Sequence, residues 1–111
     1  EPEGAKDAWQ GFKSGERISQ FSPETIADGL RATVGLRNFK IICNQVDDIL
    51  LASEERIVEA MKLIWGRLKV VVEPSAAVPL ACIMEEPEKF YGQRVAIILT
   101  GGNLDLDQLP W

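Results

Sequence analysis

Residues 94–107, RVAIILTGGNLDLD, form the stretch that decides the fold. Five consecutive apolar residues, 95–99, run into Thr100 and then into Gly101 and Gly102. A continuous apolar run that ends at glycines predicts a strand buried on both faces. Ligands of open α/β sheets bind just beyond the carboxyl ends of strands, where Thr100 is expected to lie. Because a lone Gly-Gly pair is a weak signal, a core strand followed by an ordinary tight turn is the alternative.

The composition is that of an ordinary folded domain. The chain has 111 residues, of which 46% are apolar and 26% are charged, and this suits one domain. The formal net charge is −5 and the basic residues are dispersed, which argues against nucleic acid as a partner. No apolar run reaches the roughly 20 residues of a membrane helix, and no signal peptide is recognised at the start. We therefore expect a cytoplasmic protein with neither nucleic-acid nor membrane partners.

The cysteines and the lack of histidine limit the side chains that could bind a metal or carry out a reaction. Cys43 and Cys82 both lie in apolar surroundings, which favours buried core thiols over a metal site or a disulfide. Histidine is the commonest general base near neutral pH, and this chain has none. Any reaction must therefore use carboxylates, hydroxyls, lysines or a bound cofactor.

The first half of the chain predicts short helices joined by glycine-containing segments. Residues 4–13 form the first expected helix, and Gly15 ends it. Residues 25–36 are expected to be irregular, and either pass backbone close to a ligand or simply connect two elements. The apolar spacing predicts a helix over 38–46 and a strand over 46–51.

The clearest predicted helix covers residues 53–72. Ser53 is a good N-cap, and Glu54 and Glu55 suit the positive end of the helix dipole. Apolar residues recur at three- and four-residue spacings, and the valines 70–72 widen this stripe, so the last turn is expected to be buried all round. The stripe consists of Ile57, Met61, Ile64, Trp65, Leu68 and Val72.

Pro74 ends that helix and leaves Glu73 at a turn. A second helix is expected over residues 75–84, in which Pro79 is tolerable only in the first turn. An unpaired buried carboxylate is costly, so Glu73 should have a partner or lie in solvent. It is either a contact to a ligand or a surface acid of the turn.

These elements make an α/β chain with only two clear strands, and two strands rarely form a stable sheet alone. Three short motifs indicate a family in which such a partial sheet is expected. They are TIADG at 25–29, EPSAA at 73–77 and LTGGN at 99–103. They lie within longer matching segments, EPEGAKD, PETIADGL, VGLRNFKII, VDDILLASEERIVEAMKLIWGRLKVVVEPSAAVPLA and VAIILTGGNLDLDQLPW. In this order the segments resemble the fold-type II pyridoxal-phosphate enzymes of the threonine/serine dehydratase and serine racemase family.

The resemblance implies the tryptophan synthase β-like fold of that family. Residues 1–111 are then a single partial domain, the carboxyl-terminal third of the catalytic chain, with few strands flanked by helices. The family's Schiff-base lysine and glycine-rich phosphate cradle lie outside this sequence, so we expect no catalytic residue here. The chain is expected to be inactive alone and to need the missing amino-terminal part of the enzyme or a second copy of itself.

The resemblance also implies a pyridoxal 5'-phosphate site. Thr100 matches the family's Ser/Thr that hydrogen-bonds the pyridine nitrogen. A neutral hydroxyl there does not keep that nitrogen protonated, and the weaker electron sink suits β-elimination. Gly29 matches the backbone that passes over the ring, where only glycine allows so close an approach. Asp28 and Glu73 match acidic positions that line the cofactor side of the cleft.

A divalent-cation site is implied for part of the family. Glu1, the carbonyl of Ala5 and Asp7 match its ligands, and this all-oxygen set suits Mg²⁺ or Ca²⁺. Two exposed acids near a frayed end are the alternative.

The implied reaction converts a hydroxy amino acid to a 2-oxo acid and ammonia. Serine, threonine and 3-hydroxyaspartate all remain open as substrates. No segment after Trp111 resembles a regulatory domain, which favours the catabolic, racemase or hydroxyaspartate branch. The alternatives are a serine racemase-type isomerase and a non-catalytic, self-associating module derived from the family.

Overall fold

Four α-helices form the framework of the computed structural model, which describes residues 1–111. They are α1 (Asp7–Ser14), α2 (Leu36–Gln45), α3 (Glu54–Leu68) and α4 (Pro74–Glu85). Two short 3₁₀ turns lie at Asp28–Leu30 and Pro87–Phe90. None of the helices combines the length and the apolar character needed to cross a membrane.

The first half of the chain largely follows the sequence pattern. Helix α1 ends where predicted: Gly15 adopts φ +78°, and its N–H donates to the carbonyl of Gly11 at 2.8 Å. Helix α2 is confirmed, and Phe39 on its buried face packs against Gly11, where a Cβ would lie 2.8 Å from the ring. The segment between α1 and α2 is irregular as predicted, with a single 3₁₀ turn.

Helix α3 begins where predicted and ends early. The Ser53 side chain accepts a hydrogen bond from the N–H of Arg56 at 3.3 Å, which confirms the N-cap. Lys69 adopts a left-handed conformation, φ +58°, and so ends the helix after Leu68. The prediction that the helix runs on through 72 is wrong, since three successive β-branched valines lose side-chain freedom in a helix.

The three valines do not form a turn that is buried all round either. Val70 and Val71 are 45% and 51% exposed, whereas Val72 is buried at 2%. Val72 is fixed by its carbonyl, which accepts a hydrogen bond from the indole N–H of Trp65 at 3.0 Å. The connection between α3 and α4 therefore leaves one valine in the core and two on the surface.

The core lies between α3 and α4. Alanines on both helices let the two backbones approach closely, and burial of the larger side chains supplies the hydrophobic stabilisation. Pro79 is the sixth residue of α4 and lies beyond its first turn, so the prediction that it is tolerable only in the first turn is wrong. It lies on the exposed side of the helix. The buried cluster is Ala27, Ala52, Ile57, Ala60, Met61, Ile64, Val72, Ala76, Ala77, Val78, Ala81 and Cys82.

Neither predicted strand is present. The only β pairing is an isolated parallel bridge between Pro2 and Ala52, and neither residues 46–51 nor 95–99 form a strand. The predicted burial of 95–99 on both faces is also wrong within this chain, because Ile98 is 78% exposed. An apolar run becomes a strand only when neighbouring backbone completes its hydrogen bonds, and none is within reach here.

A large apolar surface is left uncovered. The chain exposes 7359 Å², against about 6,100 Å² for a self-contained globular protein of its mass. Its dimensions, 39 × 36 × 20 Å, describe a flat slab. Cys43 is exposed, so its predicted burial is wrong, whereas Cys82 is buried as predicted. The largest exposed apolar side chains include Leu36, Leu68, Val71, Val95, Ile98 and Leu106.

Candidate functional site

The start of α4 holds the Gly-Gly turn through Glu73. Glu73 is the extended residue before the helix, and its backbone N–H donates to the carbonyl of Gly101 at 3.0 Å. Its side chain does not cap its own helix; Oε2 accepts the N–H of Asn103 instead, at 3.2 Å. Glu73 is therefore joined to both ends of the turn 101–103.

Other groups approach this turn closely, most strictly at Gly102, where the close group is backbone. A Cβ on Gly101 would overlap the carboxylate of Glu73, and one on Gly102 would lie 2.7 Å from the carbonyl oxygen of Val71. Contacts this short do not occur with real side chains, so the two glycines let the turn lie directly against the start of α4.

Gly29 reaches the same helix start from the other segment. Its N–H donates to the hydroxyl of Ser75 at 3.1 Å and to Oδ1 of Asp28 at 2.8 Å. A Cβ on Gly29 would lie 2.9 Å from that hydroxyl. The segment that carries Gly29 is thus held at Ser75, and the segment that carries Gly101 is held at Glu73. These two contact residues are two positions apart at the start of α4.

The four residues predicted to bind cofactor therefore lie on segments that meet at the start of α4. Thr100 immediately precedes the held turn, is exposed, and makes no hydrogen bond through its hydroxyl. Asp28, beside Gly29, lines an adjoining cleft of about 460 Å³. The cleft is lined by Ile26, Asp28, Arg31, Pro74, Asn103, Leu104, Asp105, Gln108 and Pro110.

The predicted cation ligands lie at the start of α1, away from that cleft. Oε1 and Oε2 of Glu1 accept the N–H groups of Ala8 and Trp9 at 3.2 and 2.7 Å, so Glu1 caps the helix. Asp7 is only 3% exposed, and its Oδ2 accepts the N–H of Val34 at 2.9 Å. Ala5 is fully buried. The interpretation of Glu1 and Asp7 as two exposed acids is therefore wrong.

Burial and negative charge act together on Glu1. Burial raises the pKa of its carboxyl, and the nearby charge of Asp7 raises it further, while the N–H of Trp9 lowers it. No Lys or Arg side chain pairs with either carboxylate. The amino-terminal ammonium acts on Glu1 in the opposite direction and lowers the pKa. Two neighbouring carboxylates and a buried carbonyl are hard oxygen donors, and they fit Mg²⁺ or Ca²⁺. The chain has no group of three or more His, Cys, Asp or Glu residues that could hold a metal.

Two contacts of the site had no signal in the sequence. Ser75 meets Gly29 across 46 residues, and Glu73 meets Asn103 across 30. Spacing patterns report neighbours on one helix or strand, so they do not reveal pairs this distant. Glu54 was predicted only to stabilise the start of α3; its Oε2 also accepts the N–H of Ile26 at 2.8 Å, while Oε1 is buried without a partner.

The family is established by the sequence match. Residues 1–101 match the profile of the pyridoxal-phosphate dependent enzymes, and the chain belongs to this family. Its solved relatives place it in the fold-type II class. It superposes on the T.th. threonine deaminase with a TM-score of 0.88 and 42% identity, over 94% of this chain and 38% of that one. It superposes on maize serine racemase with a TM-score of 0.89 and 39% identity, over 96% of this chain and 34% of that one.

Curated relatives give the same family resemblance. The chain is 51% identical over 111 residues to beta-hydroxyaspartate dehydratase of Paracoccus denitrificans, which covers all of this chain and 35% of that protein. It is 40% identical over 118 residues to serine racemase of Mus musculus, covering 100% and 34%. It is also 42% identical over 107 residues to L-threo-3-hydroxyaspartate ammonia-lyase of Saccharomyces cerevisiae, covering 96% and 33%. The chain thus spans about a third of the length of these relatives.

Proposed function

We propose that this chain forms the pyridine-ring side of the cofactor pocket in a pyridoxal-phosphate dependent dehydratase. The complete enzyme converts a hydroxy amino acid to a 2-oxo acid and ammonia. One observation carries the proposal: Gly29 and the turn after Thr100 converge on the start of α4, although they are distant in sequence. The 51% identity to beta-hydroxyaspartate dehydratase favours 3-hydroxyaspartate among the three substrates.

Each candidate residue has a distinct role in this proposal. The Thr100 hydroxyl has no partner within the chain and is free to hydrogen-bond the pyridine nitrogen. The backbone at Gly29 would pass over one face of the ring, since glycine has no Cβ to obstruct it. Asp28 and Glu73 are the acidic groups proposed for the cofactor side of the site, and of the two Asp28 lines the cleft of about 460 Å³. When bound, pyridoxal phosphate supplies the electron sink for β-elimination.

We propose that the rest of the reaction machinery comes from outside residues 1–111. The lysines of this chain do not lie in the lysine motif of the family, and no glycine-rich phosphate cradle is present in the sequence. The apolar residues 95–99 and the exposed side chains near them would pack against that remaining part. The missing part then completes both the sheet and the cofactor site.

A second copy of the chain is the other candidate for covering the apolar surface. Ile98 and Val95 are 78% and 46% exposed on a segment without strand partners, and such segments pair with other chains. This observation supports a self-associating, non-catalytic module as the alternative function. The 40% identity to serine racemase of Mus musculus supports an isomerase as a further alternative to the dehydratase.

We also propose that the oxygens of Glu1, Ala5 and Asp7 hold Mg²⁺ or Ca²⁺. The charge of Asp7 contributes to raising the pKa of the Glu1 carboxyl, and neither carboxylate pairs with a Lys or Arg side chain. A divalent cation would add positive charge beside them.

Intact-mass spectrometry under denaturing conditions, after borohydride reduction, tests the cofactor proposal. We expect a longer polypeptide, or a second one beside this chain, that carries one pyridoxyl group on a lysine outside residues 1–111. A single species of 12.3 kDa without a pyridoxyl group would contradict the dehydratase and support the self-associating module. Assays with the three hydroxy amino acids would then identify the substrate.

A further inference from the structure

We infer that Glu73 is a positioning residue: it fixes the direction of the Thr100 hydroxyl by holding the turn that follows it. This inference rests on the proposed role of Thr100 toward the cofactor. It changes the part assigned to Glu73, whose carboxylate acts through the protein backbone and need not touch the cofactor at all.

The contacts of the Glu73 carboxylate are directed at the turn. Oε2 accepts the N–H of Asn103 at 3.2 Å, and the carboxylate packs against Gly101 so closely that no Cβ fits between them. The backbone N–H of Glu73 adds a bond to the carbonyl of Gly101 at 3.0 Å.

Nothing else in the chain holds this turn by hydrogen bonds. The two bonds to Glu73 are the only ones that residues 100–104 form. Two successive glycines have the largest backbone freedom of any dipeptide, so without these bonds the turn is a hinge. Thr100 is attached directly to that hinge, and the direction of its hydroxyl therefore depends on Glu73.

The segment that carries Gly29 is fixed in a similar way, by a residue two positions after Glu73. Ser75 accepts the N–H of Gly29 at 3.1 Å. Pro74 stands between the two contact residues, and it is buried and has a fixed φ. The first turn of α4 thus sets the separation between the Gly29 backbone and Thr100, which is the gap in which a flat ring would be held.

A double-mutant cycle in the complete enzyme tests the inference. The variants are Glu73→Ala, Thr100→Ala and the double variant, with cofactor affinity measured by titration of the apoenzyme. Loss of one hydrogen bond corresponds to up to about a tenfold weaker affinity. We expect about that loss in each single variant and no further loss in the double variant, because Glu73 acts through Thr100. The visible absorption maximum of the bound cofactor should shift in the same direction in both single variants.

Matched variants separate positioning from folding. Glu73→Gln keeps an oxygen that accepts the N–H of Asn103, so it should restore most of the affinity. Gly101→Ala displaces the Glu73 carboxylate without removing it and should reproduce the loss, which gives the result even if Glu73→Ala does not fold. Gly66→Ala is the control, since a Cβ there meets nothing within 4 Å.

The outcomes distinguish the inference from the proposed function. If Thr100→Ala leaves cofactor affinity and absorbance unchanged, the proposed role of Thr100 fails, and the inference fails with it. If Thr100→Ala weakens binding but Glu73→Ala does not, or if the two losses add fully, Glu73 does not act through Thr100. In that case only the positioning inference is overturned.

Discussion

Asp7 accepts a hydrogen bond from the backbone N–H of Val34 at 2.9 Å, and so ties the candidate cation site to the segment that carries Gly29. The same segment is held at its other end, where the N–H of Glu24 donates to the carbonyl of Gly4 at 2.8 Å. Residues 24–34 are therefore anchored at both ends on residues 4–7.

Two replacements of Asp7 should distinguish the role of its charge in cation binding from the role of its hydrogen bond to Val34 in stability. Asp7→Ala removes a part-buried hydrogen bond between a charged carboxylate and the N–H of Val34, which costs about 1–3 kcal/mol of unfolding free energy. Asp7→Asn keeps an accepting oxygen and should cost less, while both variants lose binding of Mg²⁺ or Ca²⁺. Denaturant unfolding and isothermal titration measure the two effects. Asp47→Ala, at an exposed acid, is the control and should change stability by less than about 0.5 kcal/mol. Equal stability of Asp7→Ala and Asp47→Ala would contradict a structural bond.

Glu1 should give the stability a measurable pH dependence. Burial, together with Asp7, raises the pKa of its carboxyl in the folded chain above the ordinary value of 4.5. The folded state then binds more protons than the unfolded state in the interval between the two values. Stability therefore falls as pH rises from 4.5 through the raised pKa.

Thermal unfolding of the wild type and of Glu1→Gln between acidic and neutral pH tests this dependence. The Gln variant should show a flatter curve, because it cannot ionise. Added Mg²⁺ or Ca²⁺ should flatten the wild-type curve as well, since a cation favours the ionised carboxylate. Glu88→Gln, at an exposed acid, serves as the control and should keep the wild-type slope. A wild-type slope in Glu1→Gln would show that burial of Glu1 does not govern the pH response.

Gly29→Ala and Ser75→Ala should be non-additive. The new Cβ at 29 lies 2.9 Å from the Ser75 hydroxyl, so the serine must rotate away or the backbone must shift. We expect Gly29→Ala to cost about 1–3 kcal/mol in stability, and Ser75→Ala to recover part of that cost in the double variant by removing the clashing oxygen. Chemical denaturation of the four proteins gives the coupling. Simple addition of the two losses would mean that Gly29 is restricted by its own backbone and not by Ser75.

The uncovered apolar segment should control association of the isolated 111-residue chain. Ile98 is the most exposed aliphatic side chain in the segment before Thr100, and a charge there opposes pairing with any apolar partner. We expect Ile98→Lys to lower the apparent mass seen in sedimentation velocity. Leu106→Lys is the matched control, because Leu106 is also exposed but lies outside the segment. An identical mass distribution for wild type and Ile98→Lys would exclude this surface as the contact.

Helices were predictable from the sequence because their contacts are local. Ser53 caps α3 three residues away, and Gly15 ends α1 through a bond four residues back. Apolar periodicity likewise gave Ile57, Met61 and Ile64 on the buried face of α3, but Leu68, predicted on the same stripe, is 60% exposed, so that part of the prediction is wrong. The family motifs named the segments that carry Thr100, Gly29 and Glu73, and the match to the pyridoxal-phosphate dependent enzymes confirms that family.

Strands and individual long-range contacts could not be predicted from the sequence as well as the helices. The apolar run at 95–99 shows a composition suited to burial, but its neighbours are not within this chain, so no strand forms. Cys43 has apolar neighbours in sequence and is nevertheless exposed, because one side of α2 is left uncovered. The bonds of Glu73 to Asn103 and of Ser75 to Gly29 join distant residues, which only the three-dimensional packing brings together.

The arrangement around the start of α4 also orders the events of folding. Helices α3 and α4 are adjacent in sequence and can pair early, because contacts between neighbouring segments require little loop closure. Gly29 and Asn103 reach that helix pair across 46 and 30 residues, so both must close long loops onto a surface that has already formed. We therefore expect the gap between them to be the last part of the chain to assemble. A ligand that occupies this gap would then stabilise the finished structure against opening there.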